Sequence, residues 1–209
     1  GGAANVAMNI AKMGNKVSLF GIIGDDDEGN LINKLLSENN IDNQLFISND
    51  YKTTTKTRFI ALNQQLMRGD VDINITGSSD IKYKNYLINK VKDYDLVVLS
   101  DYNKGFLLNP QELINQIKRF NVPILIDPKG ADFLKYKGAT ILTPNFKEFT
   151  AVVGECKSEG EILDKGLKLK NKLELDYLLI TRSQDGMTLI INEGENIRLS
   201  TESKEVYDV

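Results

Sequence analysis

The chain has 209 residues, 41% of them hydrophobic and 26% charged, so it is long enough to bury a core and has an ordinary globular composition. Its 26 Lys and Arg against 29 Asp and Glu give a net charge of −3, which argues against a nucleic-acid partner. It has no histidine and one cysteine, Cys156, which excludes zinc sites, histidine-based triads and an internal disulfide. Without a long apolar run or a signal peptide, we expect a cytoplasmic protein that does not enter a membrane.

The first segment, "GGAANVAMNIAKMG", predicts a helix with one apolar stripe that ends near Gly14. Gly1 and Gly2 then lie at the helix N-terminus, where free N–H groups and missing side chains favour close approach of a polar ligand. The alternative is an ordinary loop that leads into a helix.

The next segments predict a strand, "KVSLFGIIG", and an amphipathic helix, "EGNLINKLLSENN". From residue 41 to 75 the pattern changes to three strands without a helix between them: "NQLFISND", "TKTRFIALN" and "QQLMRGDVDINI". This range predicts a small antiparallel excursion, which could form a lid over a ligand site.

Short aliphatic runs and helices alternate in the rest of the chain. The runs are "DLVVLSD", "VPILIDP", "ATILTP" and "DYLLITR", and the clearest helices are "NPQELINQIKRF" and "SEGEILDKGLKLKNKL". This alternation is typical of a mostly parallel sheet with helices on both faces. We therefore expect a single α/β domain with a β-rich lid.

Polar side chains follow each of four successive predicted strands, in "LSDYNKG", "IDPKG", "TPNFKE" and "TRSQDG". Ligands of open α/β sheets bind at the carboxyl ends of the strands, so these segments are candidates for a binding site. Neither common glycine-rich phosphate loop is present, so a phosphate would have to be held in another way.

These segments, together with the initial glycine turn and the terminal "EVYDV", resemble the ribokinase-like (PfkB) carbohydrate kinases over essentially the whole chain. "NQQLMR", "SDYNKG" and "DPKG" are similar to the subgroup that phosphorylates heptose 7-phosphate. The resemblance implies ATP- and Mg²⁺-dependent phosphorylation of D-glycero-β-D-manno-heptose 7-phosphate at its anomeric hydroxyl. The product would be the 1,7-bisphosphate, a step toward ADP-heptose for lipopolysaccharide.

The resemblance also implies roles for individual residues. Asn145 and Glu148 match an N-x-x-E motif, in which the carboxylate orders Mg²⁺ through water around the ATP phosphates. Lys129 would stabilise charge on the transferred phosphoryl group, and Asp101 would lie beside the reacting centre. Arg182 would approach the nucleotide, with a structural ion pair as the alternative.

The sugar would be held by other residues, which are Gly1, Gly2, Asn5 and Lys104. Lys56, Arg58 and Arg68 come from neighbouring strands of the lid, and on one face they could clamp the 7-phosphate. The alternative is that these three side chains are exposed charges that protect a sheet edge.

The family pattern has segments that this chain lacks: a sugar-binding strand before the glycine turn, and a G-A-G-D motif whose Asp is the general base. The expectation is an incomplete kinase domain over residues 1–209 that has no activity alone. The resemblance also implies a homodimer through the lid and a fused adenylyltransferase domain in the full-length protein. The alternatives are a kinase for another sugar or a nucleoside, and a non-catalytic sugar- or nucleotide-binding module.

Overall fold

The computed structural model describes residues 2–61, 64–71, 78–103, 107 and 109–201. The chain divides into two compact units, Gly1–Leu87 and Ile88–Val209. Among the described residues, no helix combines the length and apolar character that a membrane span requires. Gly1, Lys104 and the terminal "EVYDV", which the sequence analysis singled out, lie outside the described residues.

The described residues of the first unit form two helices and four strands, followed by a helix that continues into the second unit. These elements are α1 (Gly2–Lys12), β1 (Ser18–Gly24), α2 (Asp27–Glu38), β2 (Asp42–Ser48), β3 (Thr55–Ala61), β4 (Gln64–Val71) and α3 (Ser78–Lys90). The first two predicted helices and the first predicted strand are confirmed. Gly14 follows α1 with a φ of 85°, a left-handed conformation that suits glycine and ends the helix.

The hydrophobic core of this unit lies where α1 and α2 pack beside β1 and β2. Ala7, Leu36 and Ile41 are buried at its centre, and partly buried apolar residues such as Leu19 and Leu45 pack against them. The stripe that predicted α1 from the sequence therefore contacts this core through Ala7 and its neighbours.

The prediction for residues 42–48 was wrong in one respect. "NQLFISND" was assigned to the antiparallel excursion, but β2 pairs in parallel with β1, from Ser18 opposite Asp42 to Gly24 opposite Ser48. The helix α2 returns the chain to the start of β1, so β1, α2 and β2 form a β-α-β unit. Among the described residues of the predicted lid, the antiparallel part is therefore the hairpin of β3 and β4.

The second unit begins within α3, and its described residues form a six-stranded sheet with helices. Its elements are β5 (Val97–Ser100), α4 (Pro110–Ile117), β6 (Ile124–Asp127), β7 (Ile141–Leu142), α5 (Phe146–Val153), α6 (Glu159–Lys172), β8 (Tyr177–Thr181), β9 (Met187–Asn192) and β10 (Glu195–Leu199). The strand order is β10-β9-β8-β7-β6-β5.

Four neighbouring strands of this sheet, β5 to β8, run parallel, which confirms the predicted sheet. β9 and β10 pair antiparallel at one edge, an addition that the sequence analysis did not predict. The core consists of aliphatic side chains of the strands with the apolar faces of the helices, and its fully buried members include Ile126, Leu142, Leu178, Ile114 and Phe149. Since β5 to β8 are parallel neighbours, their carboxyl ends lie side by side.

Candidate active site

The carboxyl ends of β5 to β8 bring the four predicted polar segments to one edge of the sheet in the second unit. Asp101 follows β5, Asp127 ends β6, Asn145 lies just beyond β7, and Arg182 follows β8. The Asp101 N–H donates to the Asp127 carbonyl oxygen at 3.0 Å, and the Thr181 N–H donates to the Pro144 carbonyl oxygen at 3.0 Å. These hydrogen bonds extend the pairing of β5 with β6, and of β7 with β8, into the polar segments that follow the strands.

Asn145 and Glu148 form a capping box at the start of α5. The Asn145 Oδ1 accepts from the Glu148 N–H at 2.8 Å, and the Glu148 Oε2 accepts from the Asn145 N–H at 3.1 Å. This reciprocal arrangement satisfies two backbone donors that the helix leaves free. One oxygen of Glu148 is therefore used for the helix, and the other is available to a further partner.

That further partner is Lys129, from the loop after β6. Its Nζ lies 3.3 Å from Glu148 Oε1; the Glu148 side chain is 15% exposed and that of Lys129 is 55% exposed. The structure thus brings together two residues that the sequence predicted for phosphate and metal binding, 19 positions apart. A half-exposed lysine in a single ion pair keeps the freedom to change partner.

Asp127 is a member of this group that the sequence analysis missed. Burial raises the pKa of the Asp127 carboxyl, and the negative charges of Glu148 and Asp101 raise it further, while Lys129 opposes the rise. The "IDPKG" segment contained the signal, since Asp127 stands at a strand end two residues before Lys129. Two interacting carboxylates beside a lysine can bind a hard cation or a phosphate-bound cation.

Asp101 is buried, and its carboxylate is fully engaged within the protein. It accepts hydrogen bonds from the Tyr136 hydroxyl at 2.6 Å, from Lys135 Nζ at 2.8 Å and from the Asn103 N–H at 2.5 Å. Lys135 and Tyr136 are further residues that the sequence analysis missed, because neither stands at a strand end. In this conformation the Asp101 carboxylate faces protein donors rather than solvent.

Arg182 lies beside α6 and forms a bidentate ion pair. Its two terminal nitrogens lie 2.6 and 2.8 Å from the Glu159 oxygens, and its guanidinium carbon lies 5.7 Å from the centre of the Phe146 ring. The hydrogen bond and charge of Glu159 raise the pKa of Arg182. The structural ion pair that the sequence analysis held open is therefore present.

An open pocket of about 800 Å³ lies next to this ion pair, between the start of α5 and the β8–β9 connection. Its lining includes Asn145, Phe146, Thr181, Arg182 and Gly186. Two residues predicted to meet the nucleotide therefore share one cavity. Among the described residues, no cluster of three or more Cys, Asp or Glu side chains is placed to hold a metal ion.

The remaining predicted residues lie in the first unit. Gly2 begins α1 and Asn5 is exposed on that helix. In the hairpin, Arg58 stands directly opposite Arg68 and Lys56 directly opposite Asp70. Since the side-chain period of a strand is two, all four side chains share one face, as the proposed clamp requires.

The shared face also contains an acidic residue that the sequence analysis did not consider. Asp70 accepts from Lys56 Nζ at 2.9 Å and from Arg68 Nε at 2.8 Å. The bond from Lys56 is the main reason why the pKa of Asp70 is lowered, and Arg68 adds to the effect. The three cations together with Asp70 leave an excess of positive charge on this face.

The comparisons with known proteins show the family of this chain. The family of carbohydrate kinases named pfkB matches residues 1–209, and the chain belongs to that family. The proteins named Bifunctional protein HldE of Psychromonas ingrahamii and Haemophilus influenzae are 46% and 48% identical to it over 211 residues. Each match covers 100% of this chain but 44% of the relative, so the chain spans less than half the length of these curated relatives.

Solved structures confirm the predicted ribokinase-like fold. The ribokinase from Giardia lamblia has a TM-score of 0.77 and 18% identity, with 97% of this chain and 66% of that chain covered. The phosphofructokinase-2 from Escherichia coli in complex with potassium has a TM-score of 0.76 and 18% identity, with 98% and 68% covered. The Arabidopsis thaliana ribokinase complexed with ribose and ATP has a TM-score of 0.73 and 19% identity, with 95% and 65% covered.

Proposed function

We propose that this chain is the kinase part of an enzyme that transfers the γ-phosphoryl group of ATP to D-glycero-β-D-manno-heptose 7-phosphate. The acceptor is the anomeric hydroxyl, and the product is the 1,7-bisphosphate, made in the cytoplasm. The observation that carries the proposal is the convergence of Lys129, Glu148 and Asp127 at adjacent strand ends in a member of the pfkB family. The identity of 45–48% to proteins named HldE supports the choice of a heptose substrate.

The residues at the strand ends suit phosphoryl transfer, which depends mainly on positioning and on stabilisation of charge. Mg²⁺ fits this site, because it commonly binds through one or two carboxylates together with phosphate oxygens and water. Glu148 would hold it through water, with Asp127 beside it. When bound, the ion would neutralise charge on the ATP phosphates.

Lys129 has the reach and freedom to bind the transferred phosphoryl group. In the present arrangement its amine is held by Glu148. On binding of ATP, the lysine would exchange this carboxylate for a phosphoryl oxygen, and its positive charge would stabilise the negative charge that is spread over the transferring group. The exchange is favoured by the partial exposure of the ion pair, because such pairs contribute little to stability.

The pocket beside Arg182 is the proposed site of the nucleotide. Arg182 would form part of the wall of this pocket, because Glu159 and the Phe146 ring hold its guanidinium in place. The ATP complex of the Arabidopsis ribokinase, which shares the fold, supports the choice of nucleotide.

The sugar phosphate would contact residues of the first unit. Gly1, Gly2 and Asn5 would bind hydroxyls of the heptose, together with Lys104. Arg58 and Arg68 would bind the 7-phosphate, because they stand directly opposite each other on the face of the hairpin that carries an excess of positive charge. Asp70 accepts from Arg68 Nε and from one terminal nitrogen of Arg68, and this pair would hold the guanidinium in place.

We also propose that the lid mediates a homodimer and that the full-length protein carries a second, adenylyltransferase domain. Large apolar side chains of the hairpin are exposed, among them Phe59, Ile60, Leu66 and Met67, which is the usual mark of an interface. The word bifunctional in the name of the relatives and their greater length support the second domain.

The proposal is tested by assaying the full-length protein with ATP and Mg²⁺ against heptose 7-phosphate, fructose 6-phosphate, ribose and a nucleoside. We expect the highest kcat/KM with heptose 7-phosphate, and phosphorus NMR should show a phosphate at the anomeric carbon. A clear preference for another acceptor would favour a different sugar or nucleoside kinase. Binding of sugar and nucleotide without turnover would favour a binding module.

The phosphate clamp has a test of its own. Arg58→Ala and Arg68→Ala should each raise the KM for heptose 7-phosphate roughly 10- to 100-fold, as expected for a lost charge-assisted hydrogen bond. The KM for the dephosphorylated heptose should change little. Arg119→Ala, which removes an exposed arginine of the second unit, is the matched control. Equal effects on both sugars would assign the two arginines to edge protection instead.

A further inference from the structure

Tyr136 is a buried tyrosine whose hydroxyl joins two of the strand-end loops. It ends a short 3₁₀ turn, Leu134–Tyr136, and its side chain has no exposed surface. The hydroxyl donates to Asp101 Oδ2 at 2.6 Å and accepts from the Lys129 backbone N–H at 3.0 Å. One proton and one lone pair of the phenol are thus used, and each connects to a different loop.

The Asp101 end of this connection is rigid. Its carboxylate also accepts from Lys135 Nζ, which lies 3.2 Å from Asn103 Oδ1 as well, and from the Asn103 backbone N–H. The charge of Lys135 balances that of Asp101, which a buried carboxylate requires. Tyr136 stays a proton donor here, because burial and the bond to Asp101 raise its pKa.

The Lys129 end of the connection carries the reactive amine. The backbone of Lys129 is held by Tyr136, while its side chain ends 3.3 Å from Glu148. Lysine has four rotatable side-chain bonds, so the place of its backbone limits the region that the amine can reach. A shift of the loop would therefore displace the amine from the phosphoryl group.

We propose that Tyr136 is a positioning residue for phosphoryl transfer, which acts by fixing the backbone of Lys129 relative to Asp101. The inference rests on the proposed function of Lys129. The Asp101 carboxylate and the Tyr136 hydroxyl are bonded to protein groups in this arrangement, and both act through the lysine. Asp101, predicted from the sequence to lie beside the reacting centre, has its effect there as the acceptor that holds Tyr136.

The first test is Tyr136→Phe in the full-length protein, which keeps the ring in the core and removes the hydroxyl. We expect kcat to fall roughly 10- to 100-fold, the usual effect of a small misplacement of a catalytic group. The KM values for ATP and for the sugar should change little. Tyr177→Phe removes a partly exposed hydroxyl from β8 as a matched control, and Ile180→Val controls for a modest loss of core stability. Both controls should retain the wild-type kcat.

The second test separates positioning from a general structural effect. If Tyr136 acts through Lys129, Tyr136→Phe should have almost no further effect on kcat in a Lys129→Met background. Asp101→Asn should behave in the same way, and it provides a second variant if Tyr136→Phe folds poorly. An equal fold-loss of kcat in both backgrounds would overturn the proposal.

The third test does not depend on kinase activity. The rate at which acetic anhydride labels the Lys129 amine, measured by peptide mass spectrometry without substrates, should change severalfold in Tyr136→Phe. The labelling of Lys157, an exposed lysine elsewhere in the unit, should stay the same. An unchanged rate at Lys129 would refute the positioning role. Absence of turnover in the wild-type protein would instead refute the proposed function. The labelling rates would still decide whether Tyr136 positions Lys129.

Discussion

Replacement of Glu148 by Gln separates its capping of α5 from its proposed role at Mg²⁺. Gln is also accepted at the N3 position of a capping box, so the bond from the Asn145 N–H to the side-chain oxygen is kept. The ion pair with Lys129 and the attraction to the helix N-terminus are lost. The Lys129 side of the ion pair is about half exposed, and the pair is worth at most about 1 kcal/mol. The attraction to the helix N-terminus is worth roughly 0.3–1 kcal/mol.

The loss of stability is also reduced by a compensating term. The charge of Glu148 helps to raise the pKa of Asp127, so its removal relieves a repulsion within the site. We therefore expect the free energy of unfolding to fall by no more than about 1 kcal/mol. Activity should suffer more, by roughly 10- to 100-fold, which is typical for a residue that holds a metal through water.

The assay is steady-state turnover over a range of Mg²⁺ concentrations, together with urea unfolding. The matched control is Glu161→Gln, since Glu161 occupies the same N3 position in α6, where its N–H donates to Ser158 Oγ. Both variants should unfold at similar urea concentrations, and only Glu148→Gln should need more Mg²⁺ and turn over slowly. Unchanged kcat at limiting Mg²⁺ would show that Glu148 is a helix cap alone.

Two further predictions concern the same edge of the sheet. Because burial and neighbouring charges raise the pKa of Asp127, its ionised form destabilises the folded state, and the loss grows as the pH rises through the folded pKa. Asp127→Asn should therefore raise the Tm at neutral pH, and this gain should shrink below pH 3.8, the ordinary pKa of the group. An equal Tm difference at neutral pH and below pH 3.8 would contradict this reasoning. Gly186 has φ 81° and ψ −128°, and an added Cβ would overlap the Leu199 carbonyl oxygen, so Gly186→Ala should cost about 2 kcal/mol or more in thermal unfolding. An unchanged Tm would mean that β10 does not approach Gly186 so closely.

The sequence by itself determined most of the helices and strands, and it placed the main residues of the candidate site at the strand ends. The aliphatic runs that predicted β5 to β8 are strands, as expected for runs too short for a helix that are bounded by polar loops. The polar residues that end them lie at one edge, since parallel pairing brings equivalent ends together. Asn145 and Glu148 could also be read in advance as a pair, because a capping box depends only on a spacing of three residues.

The tertiary structure decided which distant residues meet. β2 looked like part of the antiparallel lid, and only its pairing with β1 showed otherwise, because a strand's own pattern does not specify its partner.

The tertiary structure also decided the hydrogen-bond partners of the predicted site residues. Tyr136 binds Asp101 from 35 positions away, and Glu159 binds Arg182 from 23 positions away. Such contacts depend on how the chain returns to the sheet, and a buried charge or hydroxyl acquires its role from the neighbour that satisfies it. The periodicity of apolar residues in the sequence indicates which face of a helix or strand is buried. The hydrogen-bond partners of Asp101 and Arg182, in contrast, come together only when the strands assemble into the sheet.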